Sequence, residues 1–226
     1  VVIAVSSSDM AEGTVSPVTL TFTATNWNTS QTVTITGIND DVDDDDVGYT
    51  IVTAAAVSND SKYDDLNGED VSVTNTDDDT VGITVSPSAG LTTTEAGGED
   101  SFAVVLDSEP TADVVIAVSS SDMTEGTVSP VTLTFTATNW NTVQTVTVTG
   151  VNDDVDDDDV GYTIVTAAAV SNDPKYNDLN AEDVSVTNTN DDTVGITVSP
   201  IAGLTTTEAG GEDSFAVVLD SEPTAD

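Results

Sequence analysis

The chain has 226 residues, with 42 acids against two Lys and Arg, no His and a formal net charge of -40. No basic surface exists to displace counterions from phosphates, so nucleic acid is excluded as a partner, and an anionic membrane surface repels the chain for the same reason. The absence of Cys removes disulfides, thiolate metal sites and thiol catalysis, while 37% hydrophobic content is enough for folded cores.

Residues 1–10 recur as 114–123, and the whole chain is two copies of a 113-residue period that differ at about nine positions, among them Ile35/Val148 and Asp77/Asn190. Near-identity at this length points to recent duplication inside a tandem array. The chain starts and stops within a repeat, so its ends are expected to be cuts of a longer protein. Asp78-Asp79-Thr80-Val81-Gly82 and Asp191-Asp192-Thr193-Val194-Gly195 set the phase. One complete domain is expected over 80–192, preceded by the back of another (1–79) and followed by the front of a third (193–226).

Inside the complete unit, branched or apolar residues alternate with Ser and Thr in short runs, the period-two signal of half-buried strands. Strands are predicted at 81–85 continued by 91–94, then at 101–106, 114–119, 131–136, 145–150, 161–168 and 184–189. No stretch of useful length has helical periodicity, and no apolar run is long enough for a spanning helix. About seven strands in a little over a hundred residues predict an all-β chain of tandem immunoglobulin-like antiparallel β-sandwiches. The core candidates are Phe102, Leu106, Ile116, Leu133, Phe135, Val146, Val148, Tyr162, Ile164 and Val186.

Alternating strand direction gathers four connections at one end of such a sandwich: 95–100, 122–125, 153–159 and 190–192. All four are acidic, and 153–159 alone holds six aspartates. Neighbouring carboxylates 4 Å apart repel by about 1 kcal/mol even in bulk water, and the chain has almost no bases to offset this. Hard oxygen donors without His or Cys suit Ca²⁺, which takes six to eight oxygen ligands. The bland alternative is a solvated, salt-adapted surface, which leaves the concentration of acids at one end unexplained.

Several segments resemble the Calx-beta domain repeated in large bacterial surface proteins and adhesins. They are Thr94-Glu95-Ala96-Gly97-Gly98, Leu133-Thr134-Phe135, Asn139-Trp140-Asn141, Val146-Thr147-Val148-Thr149-Gly150-Val151-Asn152-Asp153-Asp154 and Asn188-Thr189-Asn190-Asp191-Asp192. The resemblance implies calcium ligation by Glu95, Asp122, Asp153, Asp154, one or more of Asp156, Asp157, Asp158 and Asp159, and Asp191 with Asp192. At the 113-residue offset the counterparts are Asp9, Asp40, Asp41, Asp43, Asp44, Asp45, Asp78 and Asp79, with Glu208 matching Glu95 and Asp77 added as a further candidate at the place of Asn190. The sequence departs from the family's exchanger-type members in lacking Glu within 153–159, and in carrying Asn190 where they have a third closing Asp.

Trp140 could stack on a sugar, but at a turn between strands it reads as a plug over one end of the core. Lys62 and Lys175 lie in loops and read as exposed, partly ion-paired bases rather than isopeptide donors. The glycosylation sequons at Asn28 and Asn59 have no counterpart in the second copy. No nucleophile–base pair makes a case for catalysis. The expectation is a non-enzymatic, extracellular, calcium-binding stalk, spacer or filament whose partners are neighbouring repeats. An adhesive module for a surface or glycan, and a fibre subunit that self-associates by strand exchange, are the rival readings.

Overall fold

The structure is a computed structural model that describes residues 1–225. It is all-β, with no helix among the described residues, and divides into two compact units, Val1–Thr80 and Val81–Asp226.

The first unit holds β1 (Val2–Ser7), β2 (Gly13–Ser16), β3 (Thr19–Thr21), β4 (Thr34–Gly37), β5 (Val47–Thr53) and β6 (Val71–Asn75). They form a sheet in the order β3-β1-β5-β6 and a separate β2-β4 pair. Only Val5, Tyr49 and Ile51 form its buried cluster, with Val15, Leu20, Val33 and Val73 packed against them.

The second unit begins with β7 (Ile83–Ser86), β8 (Leu91–Thr94), β9 (Glu99–Leu106), β10 (Val114–Ser120) and β11 (Gly126–Ser129). It continues with β12 (Thr132–Phe135), β13 (Gln144–Gly150), β14 (Val160–Thr166), β15 (Val170–Ser171) and β16 (Val184–Thr189), then the short β17 (Ile196–Ser199) and β18 (Ala216–Leu219). One sheet runs β12-β10-β14-β16-β8, with β15 on β10, and the other β11-β13-β9-β7. Inward-facing residues of the two sheets build one core that contains every core candidate from Phe102 to Val186, with Trp140 packed at its margin.

Two features differ from the sequence expectation. The predicted first strand is two strands in different sheets, and β8 pairs parallel to β16 rather than antiparallel. Residues 126–129, which lie between two predicted strands and belong to neither, form a strand on β13. Both differences arise where a Ser-Pro step follows a strand, at Pro87 and Pro130. Proline has no N–H to continue a ladder, so the chain leaves one sheet there and enters the other. Gly90, at φ +82°, supplies the left-handed turn of the first crossing.

Candidate metal centre

Four segments of the second unit meet around two buried glutamates. Glu95 leaves the end of β8 and Glu125 immediately precedes β11; they are 3% and 6% exposed. The parallel register of β8 on β16 sets Thr94 beside Thr189. Glu95 Oε2 thereby accepts the backbone N–H of Asp191 at 3.0 Å. Glu125 Oε2 accepts Asn188 Nδ2 at 3.3 Å, and the same amide donates to the Val151 carbonyl at 3.2 Å. Asn188 thus ties the end of β16 to the exit of β13.

Close backbone approach makes this possible. A Cβ on Gly150 would stand 2.2 Å from the Thr94 carbonyl oxygen and 2.6 Å from Asn188 Oδ1. Only glycine at that position lets the β13 exit lie against β8 and β16. Thr93 Oγ1 completes the floor, donating to Asn188 Oδ1 at 2.9 Å and sharing a hydrogen bond with the Tyr162 hydroxyl at 3.1 Å.

Carboxylate oxygens of Glu95, Asp191 and Asp192 lie within 4.8 Å of one another, as do those of Glu125, Asp153 and Asp157. In the first unit, Glu12, Asp40 and Asp44 form the same kind of group as Glu125, Asp153 and Asp157, to which they correspond in the repeat. Burial first, and then the charges of Asp153, Asp157 and Asp191, push the Glu95 carboxyl above the usual range against the opposing Asp191 N–H. Glu125 is raised by burial, with Asp157, Asp122 and Asp153 adding to it against the Asn188 hydrogen bond. Asp192 and Asp79 are raised by desolvation and by neighbouring aspartates. Every charge that faces these glutamates is negative, and the donor set is entirely oxygen. Such a donor set could hold a hard cation.

The remaining residues singled out in the sequence stand around these groups in different roles. Asp122 turns onto its own loop, where the Thr124 hydroxyl and N–H donate to Oδ1, and these hydrogen bonds lower its carboxyl. Asp9 does the same for the N–H of Ala11. Asp156 accepts Asn190 Nδ2 at 3.1 Å and the N–H of Val194 at 2.6 Å, and Asp159 accepts the N–H of Asn190. Asp154 offers its carbonyl to the N–H of Glu222. Asp158, with Asp45 as its counterpart, adopts a positive φ that aspartate tolerates.

In the first unit, Asp77 accepts the Asp45 N–H, and its own N–H donates to Asp46. Asp78 and Asp41 contribute to raising Asp79. Asp43 is half-buried beside this loop, and Glu208 is exposed in the connection between β17 and β18. Lys175, expected to be exposed, is half-buried, and its N–H caps Asp173 at 2.9 Å.

Glu125 and Glu12 are members of the carboxylate groups that sequence reasoning did not name. The signal was present: Gly126-Thr127-Val128-Ser129 alternates as a strand does, and a Glu abutting a strand start is held where the strand holds it. A Cβ on Gly126 would stand 2.1 Å from the Tyr162 hydroxyl, which fixes that strand start against β14.

No protein-family model matches the chain, and no curated protein sequence matches it. Among solved structures, the apo form of the Calx CBD1 domain is 18% identical, covering 49% of this chain and 96% of that one at a TM-score of 0.38. Domains 4 and 5 of the S-layer protein SbsC are 16% identical over 83% of this chain and 70% of that one, at a TM-score of 0.35. The C. elegans MSP family member WR4 is 16% identical over 47% of this chain and 95% of that one, at a TM-score of 0.31.

Proposed function

We propose that the chain is a calcium-binding, extracellular structural repeat of Calx-beta type, one segment of a stalk, spacer or filament, with residues 80–192 as a complete domain. The observation that supports this most is the pair of nearly buried glutamates, Glu95 and Glu125, each grouped with two aspartates and no base. Leaving carboxylates desolvated among like charges is costly, and a divalent cation reverses the sign of each of those interactions. Glu95, Asp191 and Asp192 hold one ion in this reading, and Glu125, Asp153 and Asp157 another, with Asp154 and Asp156 to Asp159 dividing between ligation and solvated surface. The remaining named positions serve as the corresponding or flanking acids of the neighbouring repeats.

The bound ion ties β8, the exit of β13 and the exit of β16 together, so it stiffens the junction at 190–194. Both groups leave two of their three carboxylates only partly buried or exposed, which suits the weak, about 10⁻⁴–10⁻³ M affinity of extracellular calcium modules. Calorimetric titration of the full chain with CaCl₂ tests the reading. Saturable heat that is lost in Glu125→Gln and Glu95→Gln is expected. No heat, together with an unchanged melting curve in EGTA, would sink the proposal.

A further inference from the structure

The two copies of the repeat differ at one position that faces the acidic loop. Asn190, which follows β16, stands where the first copy has Asp77. Two contacts made from this place are the same in both copies. The Asn190 N–H donates to Asp159 Oδ1 at 3.1 Å, and Asn190 Oδ1 accepts the N–H of Asp192 at 2.9 Å. Asp77 repeats the pair, donating its N–H to Asp46 Oδ1 at 3.1 Å and accepting the Asp79 N–H at 2.9 Å. A third contact runs in opposite directions. Asn190 Nδ2 donates to Asp156 Oδ1 at 3.1 Å, whereas Asp77 Oδ2 accepts the Asp45 N–H at 3.0 Å.

Asp156 is held at both oxygens. Oδ1 takes the Asn190 amide, and Oδ2 takes the backbone N–H of Val194 at 2.6 Å, two residues before β17. One carboxylate thus joins the loop 153–159 to both sides of the short connection 190–194. A further N–H, that of Glu222 after β18, meets the Asp154 carbonyl at 2.6 Å. Hydrogen bonds to an ionised carboxylate are stronger than those between neutral groups, so the charge of Asp156 is answered by donors of the chain itself. Neither Asp156 nor Asn190 belongs to the carboxylate groups around Glu95 and Glu125, and the contact uses none of their oxygens.

We infer that Asn190 and Asp156 form a latch made by the chain alone. The Asn190 amide fixes Asp156 so that it captures the Val194 N–H, and the acidic loop thereby sets the strand that enters the next repeat. Of the aspartates divided above between ligation and surface, Asp156 has this third role. An Asp at the Asn190 position has no N–H in its side chain and turns a second carboxylate toward Asp156 in place of a donor. Like charges a few ångströms apart repel, so an Asp-bearing junction releases its loop until a cation lies between the two. That last step, and it alone, rests on the calcium reading. A one-residue difference then sorts the junctions of an array into two kinds, one held at every calcium level and one that is held when calcium binds.

The test is amide-resolved hydrogen exchange of the full chain in EGTA. The Val194 side chain is 77% exposed, so burial does not protect its N–H and slow exchange there reports the Asp156 contact. The parent chain is expected to exchange this N–H several-fold more slowly than Asp156→Ala. Asn190→Asp, of the same size and shape, is expected to lose the same protection, and Asn190→Ala to fall between. Melting of the 81–192 sandwich is followed alongside, so that a misfolded variant is recognised. Should Asp156→Ala misfold, Asp156→Asn, which keeps one acceptor oxygen, is expected to retain only part of the protection.

Calcium is then added to each chain. Protection of the Val194 N–H is expected to return in Asn190→Asp and to change little in the parent. Exchange as fast in the parent as in Asp156→Ala, or as slow in Asn190→Asp as in the parent, overturns the latch. An EGTA contrast that holds while calcium restores nothing in Asn190→Asp overturns the ion-dependent step and leaves the latch standing. Calcium heat without the EGTA contrast rejects the latch and leaves the calcium reading.

Discussion

Tyr63 and Tyr176 occupy the same place in the repeat, yet one is 49% exposed and the other 1%. Around Tyr176, the Ser108 N–H and hydroxyl meet the phenol oxygen, which in turn donates to the Ser108 carbonyl at 2.7 Å. The described residues 1–80 include no segment equivalent to β7, β8 and β9, and Tyr63 is exposed among them. The same absence leaves Ile35 and Val71 exposed where Val148 and Val184 are fully buried. The two copies differ in burial because the described residues include β7, β8 and β9 for the second sandwich alone. Period-two patterning makes strands in both; burial needs the facing sheet.

The largest expected break in this contrast is Phe102→Ala, which empties the centre of the complete core. Phe-to-Ala changes in cores cost about 3–5 kcal/mol, and denaturant titration should show that loss in the cooperative unfolding of 81–192. Phe215→Ala, at an exposed place of the repeat, is expected to leave that transition unmoved. Next comes the ion. Saturating calcium at about 100 times its Kd stabilises the state that binds it by about 2.7 kcal/mol per site, so EGTA is expected to lower the melting temperature of the 81–192 sandwich. Asp153→Asn should remove part of the calcium-dependent difference without changing the melting point in EGTA by a comparable amount.

A smaller effect follows from Asp173. Burial raises its carboxyl, but the N–H groups of Thr111 and Lys175 outweigh this and hold it below the ordinary aspartate range. A depressed folded value contributes stability that is present above the unfolded value and lost as pH falls through the folded one. Asp173→Asn is therefore expected to cost about 1.5–3 kcal/mol at neutral pH, the range for hydrogen bonds to a charged group. Its difference from the parent chain should close as pH falls below the ordinary aspartate value, read by urea unfolding across that window. Asp60, its counterpart, keeps the Lys62 N–H at 3.0 Å. Smallest is Tyr176→Phe, expected to cost about 1 kcal/mol, against no measurable change for Tyr63→Phe.

The core from Phe102 to Val186 was legible because each strand alternates and each inward residue is branched or aromatic. The gathering of acids followed from strand direction, which depends only on the number of strands crossed. What the sequence concealed was which acids turn inward. Asp122 and Glu125 share one short turn, and their roles separate only because Thr124 captures the first while the start of β11 and Asn188 hold the second. The sheet changes at Pro87 and Pro130 were equally hidden, since alternation continues through both and does not say which sheet a strand joins.

The parallel pairing of β8 with β16 has a mechanical consequence. These are the strands nearest the two ends of the repeat that share one sheet, and they are joined in register from Leu91↔Val186 to Thr94↔Thr189. Tension entering before β8 and leaving after β16 pulls the two strands past each other along their length. Their evenly spaced hydrogen bonds are then loaded together in shear rather than opened one by one, and the Glu95 contact to Asp191 sits at the end where the pull leaves. A tandem array built this way resists stretching through its hydrogen-bond ladders, with the acidic junction as the point at which that resistance can be set.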